Sequence, residues 1–365
     1  MEYNEFIYWA TESRLHRIAI ADADAEWLNA VPNWKTFTKT DASFHPMAIQ
    51  DLTLFIGDGN LVAQVDEFGT FDDNVLDINE PYRIKTMIDY EFDLLLGTYI
   101  SDTVNEALII RWDTVSPSWN TSDPVNEVGI NAFIRDDNNM LVSAGKYGRL
   151  YFYNGEQLET YERIPGTYSN TATLTVHPHA VANFEGVPIF GVSNVTGNPA
   201  LQGVYALGAY SRKYTKSLTL DWVISRNATS GVEIGAILVI DGLIYCAWSH
   251  NGIYGIDKLD MTAKYASAYF LTRMLFQDIR HIQKTLAELA VFYASLPSGT
   301  SFTFSYNVNR AGLTAITDRV ADDSIAYKYR SQLQVPNIGS LQVKVAFNVS
   351  GNNAPDMEMF TATIA

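Results

Sequence analysis

One cysteine, Cys246, stands in the 365 residues, so no disulfide can form within the chain. Its setting, LIYCAWSH, is that of a buried thiol acting as a small hydrophobe. Positive charge is scarce. Lys and Arg number 25 against 41 Asp and Glu, a formal charge of −16 that repels nucleic acid and anionic lipid, and no basic run offsets it. Nowhere do about 18 uninterrupted apolar residues occur, the length a membrane helix needs. The opening stretch MEYNEFIYWATESRLHRIAIADADAEW has no basic leader followed by an apolar core. The expectation is a soluble chain without a membrane anchor, not exported by the standard route. The sequons at Asn120, Asn194, Asn227 and Asn348 then read as loops only.

What the chain has in quantity is aromatic and β-branched residues. Aromatics make up 13% and charged residues only 18%, with 21 Tyr and 18 Phe, a strand-rich composition far from that of disordered chains. A loose internal period runs through it. Short apolar strands followed by a polar or glycine turn begin at Phe6 (FIYWATES), Leu54 (LFIGDGN), Leu94 (LLLGTYISD), Met140 (MLVSAGKYG), Pro188 (PIFGVSNVTG) and Leu243 (LIYCAWSHNG). A second strand follows each turn, as in RLYFYNG from Arg149 and GIYGIDKLD from Gly252. Five of the six are preceded by another apolar strand ending in an acidic turn, such as HPMAIQD and IGAILVIDG. Acids suit that place because a tight hairpin favours side chains that bond back to its backbone.

A fourth, more polar strand follows in WKTFTKT, FDDNVLDI, QLETYERI and LTLDWVIS. Four strands per unit, repeated six times, predict an all-β chain with a six-bladed β-propeller, because stacked sheets bury the faces that none can hide alone. The first unit lacks a recognisable innermost strand before Phe6.

After about Asp260 the rhythm changes. Strands are expected at LAVFYASL, SFTFSYNV, AYKYRSQLQV, SLQVKVAFNV and EMFTATIA, with Leu341, Val343, Val345 and Phe347 on one face. These predict a small antiparallel β-sandwich, with domains at residues 1–275 and 276–365 and AYFLTRM finishing the sixth unit. The alternative reading of RHIQKTLAELA is a short amphipathic helix through Ile282, Leu286 and Leu289.

No reactive constellation stands out. His177 and His179, two apart on one strand face, suit a metal, but Pro178 separates them and no nearby Cys or His completes a site. Asp66, Asp72 and Asp73, or Asp136 and Asp137, offer clustered oxygens for calcium without the full loop spacing, so turn chemistry is the simpler reading. Glycoside hydrolysis needs two carboxyls about 5 to 10 Å apart, whereas acids such as Asp22, Asp24 and Glu26 fall at solvated positions. His250 has no Ser-His-Asp context, and there is no G-x-S-x-G elbow, phosphate-cradling loop or H-E-x-x-H. Trp112, Trp119, Tyr151, Tyr153, Trp222 and Trp248 suit either a sugar-stacking platform or packing between blades. The expectation is a protein that is not an enzyme and has no catalytic, cofactor-binding or metal residue.

The phrases LLLGTYISDTVNEALIIRWDTVSPSWN, GRLYFYNGEQLETYERIPG and SGVEIGAILVIDGLIYCAWSHNGIYGIDKLDMTAKYASAYFLTR resemble those of tailed-bacteriophage virion proteins with a propeller body. LPSGTSFTFSYNVN and SLQVKVAFNVSGNNAPDMEMFTATI resemble the small β-sandwich that accompanies such proteins. The resemblance implies a structural subunit of a tail, as nozzle, hub or adaptor, assembled in the host cytoplasm. It further implies a homo-oligomeric ring contacting other virion proteins, with passing contact to DNA in a channel. Two alternatives stay open: a glycan- or receptor-binding module at the virion tip, and a glycoside-active propeller enzyme.

Overall fold

The computed structural model describes residues 1–23, 30–39, 42–136, 139–155, 157–164, 172–208, 216–226, 229–259, 268–272, 275–276, 284–316, 320–321, 328–351 and 353–365. The chain is all-β and divides into two compact units, Met1–Leu259 and Asp260–Ala365.

The first unit is a β-propeller, and its described residues form six successive antiparallel sheets. Sheet one holds Glu2–Tyr3, Phe6–Thr11, Arg14–Ala19 and Val31–Thr36; sheet two holds Met47–Gln50, Thr53–Asp58, Leu61–Val65 and Phe71–Asp77. Sheet three holds Arg83–Tyr90, Asp93–Tyr99, Ala107–Trp112 and Thr121–Val125; sheet four holds Ile130–Asp136, Asn139–Ala144, Arg149–Tyr153 and Leu158–Arg163. Sheet five holds Val181–Phe184, Val187–Val192, Gly203–Gly208 and Ser217–Trp222. Sheet six has three strands among the described residues, Glu233–Ile240, Leu243–His250 and Ile253–Lys258. The innermost strand missing from the sequence reading of the first unit is the two-residue Glu2–Tyr3, which pairs with Phe6 and Ile7 and is too short to carry a period.

Tight hairpins join the first two strands of sheets one, two, three, five and six. Both turn residues carry positive φ at Asn4 and Glu5, at Asp51 and Leu52, at Glu185 and Gly186, and at Asp241 and Gly242. Two such residues make the primed turn whose twist matches the flanking strands. The recurring acids therefore sit at left-handed positions of the hairpins, which Asp tolerates better than most residues.

Side chains of the second strands in sheets two to five point alternately to the two neighbouring sheets, and both faces are dry. Leu54 and Ile56 pack with Tyr8 and Leu15 of sheet one, while Phe55 packs with Leu94 and Trp112 of sheet three. Leu95 turns the other way to meet Ile130, Phe133 and Val142 of sheet four. Leu141 packs with Phe190 and Val192 of sheet five, and Ile189 meets Ile234 and Cys246 of sheet six. Burial on both faces explains why these strands read as continuous apolar runs rather than as alternation.

The fifth residue of every second strand is small: Ala10, Gly57, Gly97, Ser143, Gly191 and Ala247. At this point the strand passes close to the innermost strand of the next sheet. A Cβ at Gly97 would lie 2.7 Å from Ile130 Cγ2, one at Gly191 2.6 Å from Ile234 Cγ2, and one at Gly57 3.1 Å from Ile84 Cγ2.

The second unit is a β-sandwich. One sheet orders Tyr269–Leu271, Ser340–Asn348, Ser301–Val308 and Thr314–Ala315, with Leu275–Phe276 also paired to Ser340–Asn348. The other orders Val320–Ala321, Lys328–Val335, Leu286–Ser295 and Asp356–Ile364. Leu289 and Val291 face Phe302, Phe304, Leu341, Val343 and Val345 in a common core. Two details differ from the sequence reading. The strand Tyr269–Leu271 does not finish sheet six but pairs with Lys344–Ala346, so the units divide at Leu259 rather than after residue 275. Leu286 and Leu289 of the alternative helix lie on a strand, whereas Ile282 is outside the described residues.

The close approach at Gly97 yields a prediction. Gly97→Val, whose Cβ would also lie 2.5 Å from Thr86 Cγ2, is expected to lower unfolding free energy by about 1–3 kcal/mol through overpacking. Gly208→Ala, where an added Cβ meets Val187 at an ordinary 3.6 Å, should cost far less. Urea denaturation of both checks this, and equal midpoints would reject the account.

Candidate functional site

The residues singled out in the sequence go mostly to structural duties. Asp66 Oδ1 accepts the backbone N–H groups of Phe68 and Thr70, Asp72 accepts that of Asn74, and Asp73 accepts the Thr38 hydroxyl. Asp136 is buried and paired with Lys216, while Asp137, Asp24 and Glu26 lie outside the described residues. Asp113 closes its own turn: hydrogen bonds from the Asn120 amide first, then from Ser116 and Val115, hold its carboxyl well below the usual range.

Trp112 packs edge-on against Phe55 and donates Nε1–H to the Ser116 carbonyl. Tyr153 is buried and donates to Asp123, and Trp222 packs edge-on with Phe184. They form interfaces between sheets rather than an open platform. Burial pushes the Cys246 thiol up to about 12, so it is an inert core group. His250 touches only Asn251 among the polar contacts of the described residues.

His177 and His179 have a different setting. Both lie in the segment leading to the innermost strand of sheet five, anchored by the Thr175–Ser193 bridge and by bonds from Ala180 N–H to the His177 carbonyl and from Gly191 N–H to the Ala180 carbonyl. The matching segment of sheet two, which brings in Phe44 and His45, is held by the bond from Gly57 N–H to the Pro46 carbonyl. The Phe44 and His177 rings are 6.0 Å apart. Sheets two and five stand three places apart in the succession of six, so rings from both can meet only near the axis.

A cavity of about 690 Å³ opens there. Its walls include Tyr8, Trp9 and Glu12 from sheet one, Phe44, His45 and Met47 before and in sheet two, and His177 and His179. His45 bridges the carbonyls of Gly57 and Glu12 and stacks on Phe37, tying the first two sheets together at the rim. Tyr99 meets Phe44 edge-on from sheet three. Lys85, also from sheet three, sits with its ammonium 5.3 Å from the Phe44 ring centre and donates to Asn131 Oδ1 at 2.8 Å.

The electrostatics of this place are unusual for so acidic a chain. Burial is the main cause that lowers the proton affinity of Lys85, of His179 and of His177, the last down to about 4. Neighbouring positive charge adds to it, from His179 and Lys85 on His177 and from the Met1 α-amino group on His179. Opposing it are Asp102 near Lys85 and a Gly235 backbone hydrogen bond to His177. The His179 ring lies deep in protein yet stays open to the cavity. Among the described residues no three His, Cys, Asp or Glu side chains group to hold a metal, so the histidine pair stands without a third ligand. Glu12 is the one carboxylate among the described residues of the cavity wall. What the sequence reading missed is the meeting of Phe44 with His177, since nothing in linear order connects segments so far apart.

No protein-family model matches the sequence, and no curated protein does. Solved structures do. The extracellular domain of the one component system BT4673 from B. thetaiotaomicron is 16% identical with a TM-score of 0.47; the match covers 87% of this chain and 38% of that one. An exo-beta-1,3-galactanase from Phanerochaete chrysosporium is 9% identical with a TM-score of 0.37, covering 90% and 98%. A further glycoside hydrolase is 8% identical with a TM-score of 0.33. At these identities and scores the likeness concerns strand layout and carries no activity over. It does correct one expectation: with glycoside hydrolases among the structures similar over most of the chain, the lack of a catalytic motif no longer supports the view that the protein is not an enzyme.

The histidine pair yields a test of its setting. An unfolded histidine titrates near 6.5 and His177 in the fold at about 4. Between those values the unfolded chain binds more protons, so stability is expected to fall as pH drops through that window. The double variant His177→Gln with His179→Gln should lose less of its urea midpoint between pH 7 and pH 5 than the parent. Parallel curves would mean that neither ring is desolvated.

Proposed function

We propose that this chain is a propeller module of a tailed-phage virion, working in the tail as nozzle, hub or adaptor through contacts with other virion proteins and with copies of itself in a ring. The virion assignment rests on the sequence phrases that resemble such proteins. The contact role is supported by one observation on sheet six. Leu238 and Ile240, with Tyr254 and Ile256, share a single face of that sheet and are 57%, 46%, 80% and 72% exposed. Large apolar groups on one sheet face, beside Ile253–Lys258, an edge strand among the described residues, are what a protein contact covers. The acidic surface suits passing contact with DNA in a channel, because like charge prevents adhesion.

A second reading, a glycan- or receptor-binding module at the virion tip, is favoured by the axial cavity with Trp9 and Phe44 in its walls.

The assembly reading is tested by sedimentation velocity on the whole chain. The parent is expected to self-associate at micromolar concentration, and Tyr254→Lys with Ile256→Lys to shift it to the monomer without lowering its thermal transition. A parent that stays monomeric at all concentrations would reject the ring. Absence of the chain from purified particles by mass spectrometry would reject the virion assignment.

A further inference from the structure

We propose that the axial cavity binds a pyranose bearing a carboxylate, the acid group received by His179 in the field of Lys85, and the sugar ring held between Trp9 and Phe44. The inference rests on the second reading above, in which this cavity is a ligand site. A volume of about 690 Å³ lies within the range of small-molecule pockets and suits one or two sugar rings. Flat aromatic faces are apolar and electron-rich, which matches the C–H face of a pyranose.

The charge of the ligand follows from what the walls supply. Acids outnumber bases by 41 to 25 along the chain, yet the ionisable side chains at the cavity are mainly nitrogen bases. His177 is already engaged: Nδ1 accepts the His179 backbone N–H at 3.4 Å, and the ring bonds to the Gly235 backbone. The His179 ring has no hydrogen-bond partner among the described residues and opens on the cavity, so it is the donor left for a ligand. Lys85 gives Asn131 one hydrogen bond, and its positive charge is within reach of His177. Asp102 lies near Lys85, Glu12 is exposed at the cavity wall, His45 is committed to two carbonyls, and the Met1 α-amino group lies near His179.

Bases whose protonated forms are disfavoured by burial gain most from an incoming anion, since it restores the stabilisation that water would have given. Binding should therefore take up a proton, and affinity should fall as pH rises from 5.5 to 8. The test is isothermal titration of the whole chain with glucuronate, N-acetylneuraminate, glucose and acetate at pH 6. The expected result is that one of the two acidic sugars binds at least tenfold more tightly than both glucose and acetate. His179→Gln should remove that tenfold preference while leaving glucose unchanged.

Glucose equal to both acidic sugars would overturn the carboxylate assignment and leave the cavity reading intact. Acetate equal to the acidic sugars would overturn the pyranose. No heat from any probe at 10-fold molar excess and millimolar protein (about the weakest Kd that calorimetry resolves) would overturn the ligand site itself. A pH-independent affinity in the parent chain, which needs no variant to fold, would overturn the part given to the histidine.

Discussion

Everything in the first unit depends on how closely one sheet can approach the next. Two sheets normally pack about 10 Å apart, with side chains filling the gap. Around an axis that spacing holds at the outer strands but must shrink toward the centre, and the second strand of each sheet is where the change is accommodated. Ala10, Gly57, Gly97, Ser143, Gly191 and Ala247 all fall at the same step of that strand. Three of the positions press on an isoleucine of the following sheet: Ile84, Ile130 and Ile234. A small residue answered by a branched one lets backbones converge without opening a void. The larger residues on either side, such as Leu94, Leu95 and Leu96, fill the wider space further out.

The same convergence explains how much of the fold was legible. The units LFIG, LLLG and PIFG could be aligned because each obeys two demands at once, burial on both faces and a small residue at the narrowing. Period and turn chemistry were enough to place most strands of sheets two to five. What escaped was whatever lacked a local demand. Glu2–Tyr3 has only two residues and takes its strand character from Phe6 and Ile7. Tyr269–Leu271 looks, in linear order, like a continuation of sheet six. Its partner, Ser340–Asn348, lies some seventy residues on, and no pattern within seven residues can report that.

The candidate site was less legible for a related reason. Spacing shows only that His177 and His179 share a strand face, which suits a metal but supplies no further ligand. Their real neighbours come from loops that the topology brings together: Phe44 from before sheet two, Lys85 and Tyr99 from sheet three, Trp9 from sheet one. The aromatics that the sequence did offer as a platform, Trp112 and Tyr153 among them, lie instead where sheet packs on sheet. A composition rich in Tyr and Trp cannot say which rings go to the interfaces and which remain at the axis.

Charge ties the two scales together. At the rim of the sheets the carboxylates are useful individually, closing turns as at Asp66 and Asp113 or occupying hairpin positions as at Asp51 and Asp241. In those places they are hydrated, and their mutual repulsion is screened. The axis has the opposite problem. Lys85, His177 and His179 are crowded by protein with little internal counter-charge, so each holds its proton less well than in water. Neutrality at the axis must then come from proton loss, from water in the cavity, or from an anion that enters it.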